Sequence, residues 1–83
     1  MKDGMVNAII MARVDAGKDR EALEKIKVVN GVEHACATYG IYDLVIRVYF
    51  QSIEALDKFV FHDLRKIPSI RETVTLICSS FVT

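Results

Sequence analysis

The chain has 83 residues, and its 11 basic and 11 acidic side chains give a formal net charge of zero. This length allows a single domain over residues 1–83. A chain this short buries only about 60–65% of its unfolded surface, which favours self-association. Hydrophobic residues make up 52% of the sequence and exclude disorder, while the balanced charge offers no basic stripe to phosphate groups. We therefore expect an ordered domain with no direct nucleic-acid partner.

The hydropathy pattern predicts six elements in the order βαββαβ. A turn at Asp15-Ala16-Gly17 precedes the first helix, Ser52 is expected to cap the second, and Pro68-Ser69 ends it. The predicted elements, in chain order, are strand 5–14, helix 18–28, strand 32–39, strand 44–50, helix 53–67 and a strand within 70–82. On the second helix, Phe59 and Phe61 are expected to serve packing rather than a cofactor.

An internal repeat supports this order. Laying residue 6 onto residue 44, a shift of 38, superposes the first strand on the third and the two βαβ halves on each other. Two equal βαβ halves are typical of the ferredoxin-like arrangement. We expect the first and third strands at the centre of the sheet, parallel to each other, with both helices on one face.

One face of the predicted sheet is too apolar to be left to solvent. The helices would cover the alternating residues 6–12 and 44–50, leaving Asn7, Ile9, Met11, Arg13, Val45, Arg47 and Tyr49 on the opposite face. Monomers rarely expose an apolar patch of this size. We therefore predict a homodimer that packs sheet on sheet through Ile9, Met11, Val45, Arg47 and Tyr49, with Arg13 and Arg47 toward its rim.

The loop between the second and third strands is the most informative segment for function. Gly40 permits a positive φ, and Asp43 can hydrogen-bond to the backbone of the turn, so the loop needs no ligand to explain it. The same glycine and carboxylate, with Tyr42 between them, could also form part of a binding site. Residue types alone leave both interpretations open.

The chain resembles the ligand-binding domain, often called the RAM domain, of Lrp/AsnC (feast/famine) transcriptional regulators. The resemblance covers nearly the whole chain. It rests on the segments VNA at 6–8, VDAGK at 14–18, NGV at 30–32, YGIYDLV at 39–45, IPSI at 67–70 and TVTLI at 73–77.

This resemblance implies an α+β, ferredoxin-like fold with a four-stranded antiparallel sheet and helices on one face. It implies dimerisation through the other face, as a dimeric α+β barrel, and further assembly into octamers or similar rings. Amino acids or similar small effectors would bind in clefts between dimers. The matching positions are Gly40, Tyr42, Asp43, Thr73 and Thr75, of which Asp43 suits an ammonium and the hydroxyls suit a carboxylate.

Members of this family carry a helix-turn-helix domain before the ligand-binding domain, whereas this sequence begins at the ligand-binding domain. We expect a non-catalytic module that acts through partners, including full-length Lrp/AsnC regulators, and that needs no cofactor.

Cys36 and Cys78 lie far apart without C-x-x-C spacing, so two buried thiols are favoured over a disulfide. No apolar run reaches the roughly 18 residues of a membrane span and no signal peptide is evident, so we expect a cytoplasmic protein without a membrane partner.

Two other classes of protein share this type of fold. Small dimeric α+β barrel enzymes of the monooxygenase or isomerase type place a His or Tyr in a cavity, which here would be His34 or Tyr49. No nucleophile–base pair accompanies either residue, and His34 and His62 lack the spacing of metal ligands, so neither catalysis nor a metal site is expected. An RNA-binding sheet would need a basic surface and several exposed aromatic residues, and only Tyr49 qualifies.

Overall fold

The computed structural model describes residues 1–82. The strands are β1 (Val6–Val14), β2 (Val32–Ala37), β3 (Leu44–Phe50) and β4 (Ile70–Ile77), and the helices are α1 (Asp19–Ile26) and α2 (Ile53–Lys58). A π-helical segment, Phe59–Leu64, continues α2 directly. The four strands form one sheet in the order β2-β3-β1-β4. The order βαββαβ, the ferredoxin-like α+β fold and the central position of β1 and β3 are thereby confirmed.

Every pair of neighbouring strands is antiparallel, so the prediction that β1 and β3 run parallel was wrong. The reason is topological. Each helical crossover returns the chain in the same direction, which makes β1 parallel to β2 and β3 parallel to β4. The hairpin between β2 and β3 then reverses the direction of the second half. Interleaving the halves therefore alternates the strand directions across the sheet.

The core lies between the helices and the face of the sheet that alternation predicted. Six central side chains on this face are buried, namely Ala8, Ile10, Ala12, Leu44, Ile46 and Val48. The helices contribute Ala22, Ile26, Leu56, Phe59, Val60 and Leu64. Burying a large aliphatic or aromatic side chain contributes about 1.5–3 kcal/mol. This core therefore fixes which face of each strand remains outside.

The second helix begins as predicted but changes its winding. The hydroxyl of Ser52 accepts a hydrogen bond of 3.1 Å from the Ala55 N–H, which caps the helix. The π-helical winding after Lys58 brings Phe59 into the core, where its ring centroid lies 5.3 Å from that of Phe50. Phe61 is 62% exposed, so the expectation that it packs like Phe59 was wrong.

The other face of the sheet, here called the open face, carries the predicted dimer residues. Ile9, Met11, Val45 and Tyr49 are half-buried and Arg47 is exposed. The register adds residues from β4, because Val74 pairs beside Met11 and Leu76 beside Ile9. Leu76 is 52% exposed. The open face is therefore apolar across its middle within a single subunit.

The two cysteines are free thiols. Both are half-buried rather than buried, because neither side chain lies in the core between the helices and the sheet. Cys36 pairs with Val45 on the open face, and Cys78 follows β4. No helix among residues 1–82 is long and apolar enough to span a membrane.

Candidate functional site

Asp43 anchors the loop between β2 and β3 to the end of β1. Its Oδ2 atom accepts a hydrogen bond of 2.8 Å from the Val14 N–H, and its own N–H donates to the Ala12 carbonyl at 2.9 Å. The Thr38 hydroxyl closes the base of the loop by donating to the Tyr42 carbonyl at 2.7 Å. The loop conformation is therefore fixed by three hydrogen bonds that use no ligand.

The tip of this loop projects into solvent. Gly40 has φ +133°, a conformation that side-chain-bearing residues rarely adopt, and a Cβ there would meet open space. Tyr39 is fully exposed and Ile41 is 70% exposed. The backbone turn thus requires Gly40, and it exposes the side chains of Tyr39 and Ile41, one on each side of the glycine.

A cavity of about 230 Å³ opens beneath the loop. Asp43, Thr38 and Tyr39 form one wall. The opposite wall is the turn from Val14 to Gly17, together with Asp19 in the first turn of α1. The cavity is therefore built where the ends of β1 and β2 meet the start of the first helix, and it presents three carboxylates.

One of these carboxylates is already neutralised. Arg71 donates to Asp15 twice, at 2.6 Å from Nε and 3.1 Å from a terminal nitrogen. This hydrogen bonding lowers the pKa of Asp15 below its ordinary value of 3.8. Asp43 uses one carboxylate oxygen for Val14. The second oxygen of Asp43 and the carboxylate of Asp19 remain as acceptors for a cationic group.

The structure brings together only part of the predicted effector set. Gly40 and Asp43 share the loop, but the Tyr42 ring lies on the other side, 5.4 Å beneath the Arg13 guanidinium. Thr73 and Thr75 lie on β4, where they pair with Ala12 and Ile10 of β1. They are therefore across β1 from Asp43, and neither lines the cavity. Within one subunit the two threonines therefore form a separate surface on an edge strand.

The sequence interpretation missed several cavity residues. Thr38, Asp19 and the backbone of Ala16-Gly17 line the cavity beside Asp43. The sequence held a signal for these residues, because Asp15-Ala16-Gly17 is a predicted turn and Thr38 directly precedes the loop.

His34 and His62 are both exposed. No group of three metal-binding side chains occurs in the part of the chain that the structure describes.

The comparison with known proteins decides the family. The model of the Lrp/AsnC ligand-binding domain matches residues 7–82. The chain belongs to this family. An uncharacterised helix-turn-helix-type transcriptional regulator of Pyrococcus furiosus is 33% identical over 73 residues, which are 88% of this chain and 49% of the regulator. The chain thus spans about half the length of this curated relative.

Solved structures share this fold. Escherichia coli AsnC is 30% identical with a TM-score of 0.87, and the match covers 92% of this chain and 52% of AsnC. A hypothetical protein of Pyrococcus horikoshii is 38% identical with a TM-score of 0.86 and is matched over 93% of each chain. A Neisseria meningitidis transcriptional regulator in complex with L-Met shares the fold at 18% identity, with a TM-score of 0.83 over 94% of this chain and 52% of that chain.

Proposed function

We propose that this Lrp/AsnC ligand-binding domain is a non-catalytic sensor of a free amino acid. The observation that carries the proposal is the loop of Asp43, which adjoins a cavity of about 230 Å³ inside a domain of a ligand-binding family. The structural relative from Neisseria meningitidis, whose ligand is L-Met, supports an amino acid as the class of effector.

The donors and acceptors around the cavity suit such a ligand. The free oxygen of Asp43 and the carboxylate of Asp19 would accept hydrogen bonds from an ammonium group. The ligand carboxylate would need donors, which the backbone N–H groups beside Gly40 and the hydroxyls of Thr73 and Thr75 supply. Because Thr73 lies across β1 from Asp43 in one subunit, these hydroxyls would have to come from a neighbouring subunit. The effector would therefore sit between subunits.

The assembly that this site requires begins with a dimer through the open face. Met11 lies between Val45 and Val74 at the middle of that face, and an apolar surface of this kind is stabilised by burial against a second copy. Dimers would then assemble into octamers or similar rings that complete the effector clefts. Effector binding across a cleft favours the assembled state, because it adds contacts that separate dimers lack.

The regulatory output would pass through partner chains in the cytoplasm. Residues 1–82 form the one βαββαβ unit that matches the ligand-binding domain of the family. Mixed assembly with full-length Lrp/AsnC regulators would connect effector binding to DNA. Co-expression with such a regulator is expected to give mixed oligomers in native mass spectrometry, whereas two separate sets of homo-oligomers would contradict this route.

The test of the sensor combines a thermal-shift screen against the common amino acids with calorimetry on the strongest hit. Asp43→Asn keeps an acceptor for Val14 but removes the charge, so we expect at least about a tenfold loss of affinity. Asp63→Asn, on the π-helical segment away from the cavity, is the matched control and should bind normally. No stabilising amino acid, or equal affinities for both variants, would refute the proposed site.

A further inference from the structure

A groove runs along the outer edge of β2, on the side of the molecule away from β3. Two neighbouring cavities form it, of about 360 and 150 Å³. One side is lined by Asp19, Leu23 and Glu24 of α1 and by Lys27, which follows the helix as its C-cap. The other side is β2 itself, with Val32, Glu33, His34 and Ala35 at the larger cavity. A groove between an edge strand and a helix is the geometry that accepts an extended peptide.

The backbone of β2 is open toward this groove. The Thr38 N–H bonds to the Asp43 carbonyl in the ladder with β3. Because backbone groups alternate in direction along an antiparallel strand, the N–H and C=O groups of Ala35 and Ala37 point to the outer edge. Edge strands often carry charged or bulky side chains that prevent another strand from pairing with them. Ala35 and Ala37 carry neither.

The segment that follows β4, residues 78–82, carries apolar side chains outside the helices and strands. The Cys78 N–H still bonds to the Asn7 carbonyl at 2.8 Å, and the segment then continues outside the sheet. It contains Phe81, which is half-buried, and Val82, which is 99% exposed. This segment, here called the tail, therefore carries large apolar side chains at the surface.

The tail and the larger cavity occupy the same end of the sheet. Asn7, where the tail departs, pairs with Tyr49, and the Tyr49 N–H bonds to the Gly31 carbonyl immediately before β2. Within one subunit β2 and β4 are opposite edges of the sheet, so the tail departs on the far side from its own groove. A two-fold axis parallel to the strands, between two facing sheets, places β4 of one copy over β2 of the other.

We propose that, in the dimer, the tail of a second copy docks into this groove and adds to the edge of β2, with Phe81 in the larger cavity. This docking rests on the proposed dimer, to which the tail would add a second contact beside the open face. A cavity of about 360 Å³ is large enough for a phenylalanine side chain. The groups of Ala35 that face the edge would receive the backbone of the tail.

The first test measures dimer affinity by sedimentation equilibrium for Phe81→Ser and for the matched control Phe61→Ser, which removes an exposed phenylalanine from the second helix. We expect Phe81→Ser to weaken the dimer by about tenfold or more, and the control to change it by less than about twofold. Ala35→Pro removes an outward N–H without breaking the ladder to β3, and it should weaken the dimer in the same way. Equal affinities of all variants and the parent would overturn tail docking.

The second test identifies which copy supplies the tail, and it does not depend on the stability of Phe81→Ser. In a Cys36→Ser, Cys78→Ser background, Leu23→Cys combined with Val82→Cys is oxidised and examined on a non-reducing gel. A disulfide-linked dimer is the expected product, and a link within one chain or no link overturns the proposal. If the parent chain itself sediments as a monomer at micromolar concentration, the proposed dimer is refuted. If it is a dimer without these effects, only tail docking is refuted.

Discussion

The carboxylate of Asp43 accepts a hydrogen bond of 2.8 Å from the Val14 N–H, in the place of a backbone carbonyl of a neighbouring strand. β1 and β3 pair regularly as far as Ala12 and Leu44. Beyond that pair the β3 backbone turns away into the loop, and the side chain of Asp43 satisfies the next donor that points toward β3. Asp43 is therefore both a structural anchor and the main candidate for effector binding, and its two roles can be separated by substitution.

Asp43→Ala is expected to lower the free energy of unfolding by about 1–2 kcal/mol, because the half-buried Val14 N–H loses its acceptor. Asp43→Asn offers an amide oxygen in the same place and should cost less than about 0.5 kcal/mol. Urea denaturation of both variants measures the difference. Equal losses would indicate that the charge of Asp43, rather than its acceptor, stabilises the loop.

Met11→Lys is expected to give a folded monomer. Met11 lies between Val45 and Val74 at the middle of the open face, so a lysine there would place an unpaired charge inside the dimer. Dimer affinity should fall by about 100-fold, which sedimentation equilibrium measures alongside circular dichroism of the fold. Val28→Lys, at a residue that is 74% exposed beyond α1, is the control. An unchanged dimer in Met11→Lys would place the interface elsewhere.

Period-two alternation was sufficient to predict the covered face of the sheet, because Ile10 and Ile46 differ from Asn7 and Arg47 in residue type as well as position. Two features were beyond such patterns. Residue types do not record strand direction, so the antiparallel central pair had to come from the crossover topology. The sheet order also places β1 between Asp43 and Thr73, so the two segments of the predicted effector set lie apart within one subunit. The π-helical winding had no signal either, since it depends on an insertion into the helical repeat rather than on a residue type.

Phe59 and Phe61 are expected to respond oppositely to truncation. Phe59 is 1% exposed and contacts the Phe50 ring, so Phe59→Ala should cost about 3–5 kcal/mol in a domain of this size. Phe61→Ala removes an exposed ring and should change stability by less than about 0.5 kcal/mol. Thermal and urea unfolding check both values. Similar losses at the two positions would contradict the π-helical placement of this segment.

Gly31→Ala is expected to be much more destabilising than Gly40→Ala. Both glycines have positive φ, +98° and +133°, so an alanine would strain the backbone at either position. At Gly31 the new Cβ would also lie 2.5 Å from Phe50 Cε1 and 3.0 Å from the Tyr49 carbonyl oxygen, whereas at Gly40 it would meet open space. We expect a further loss of about 1–3 kcal/mol at Gly31, measured by urea denaturation. Equal losses would mean that backbone strain alone determines the effect.

The ion pair of Asp15 and Arg71 predicts how stability depends on acid pH. The hydrogen bonds from Arg71 lower the pKa of Asp15 in the folded state below its ordinary value of 3.8. The unfolded chain therefore binds the proton more readily, and the contribution of Asp15 is fully present above that value and is lost as the pH falls through the folded pKa. Asp15→Asn should reduce stability at neutral pH, with the difference from the parent shrinking toward about pH 2. Urea denaturation across this range measures the difference, and Asp57→Asn on the exposed side of α2 serves as control. A difference for Asp15→Asn that stays constant with pH would show that its loss comes from something other than the charge.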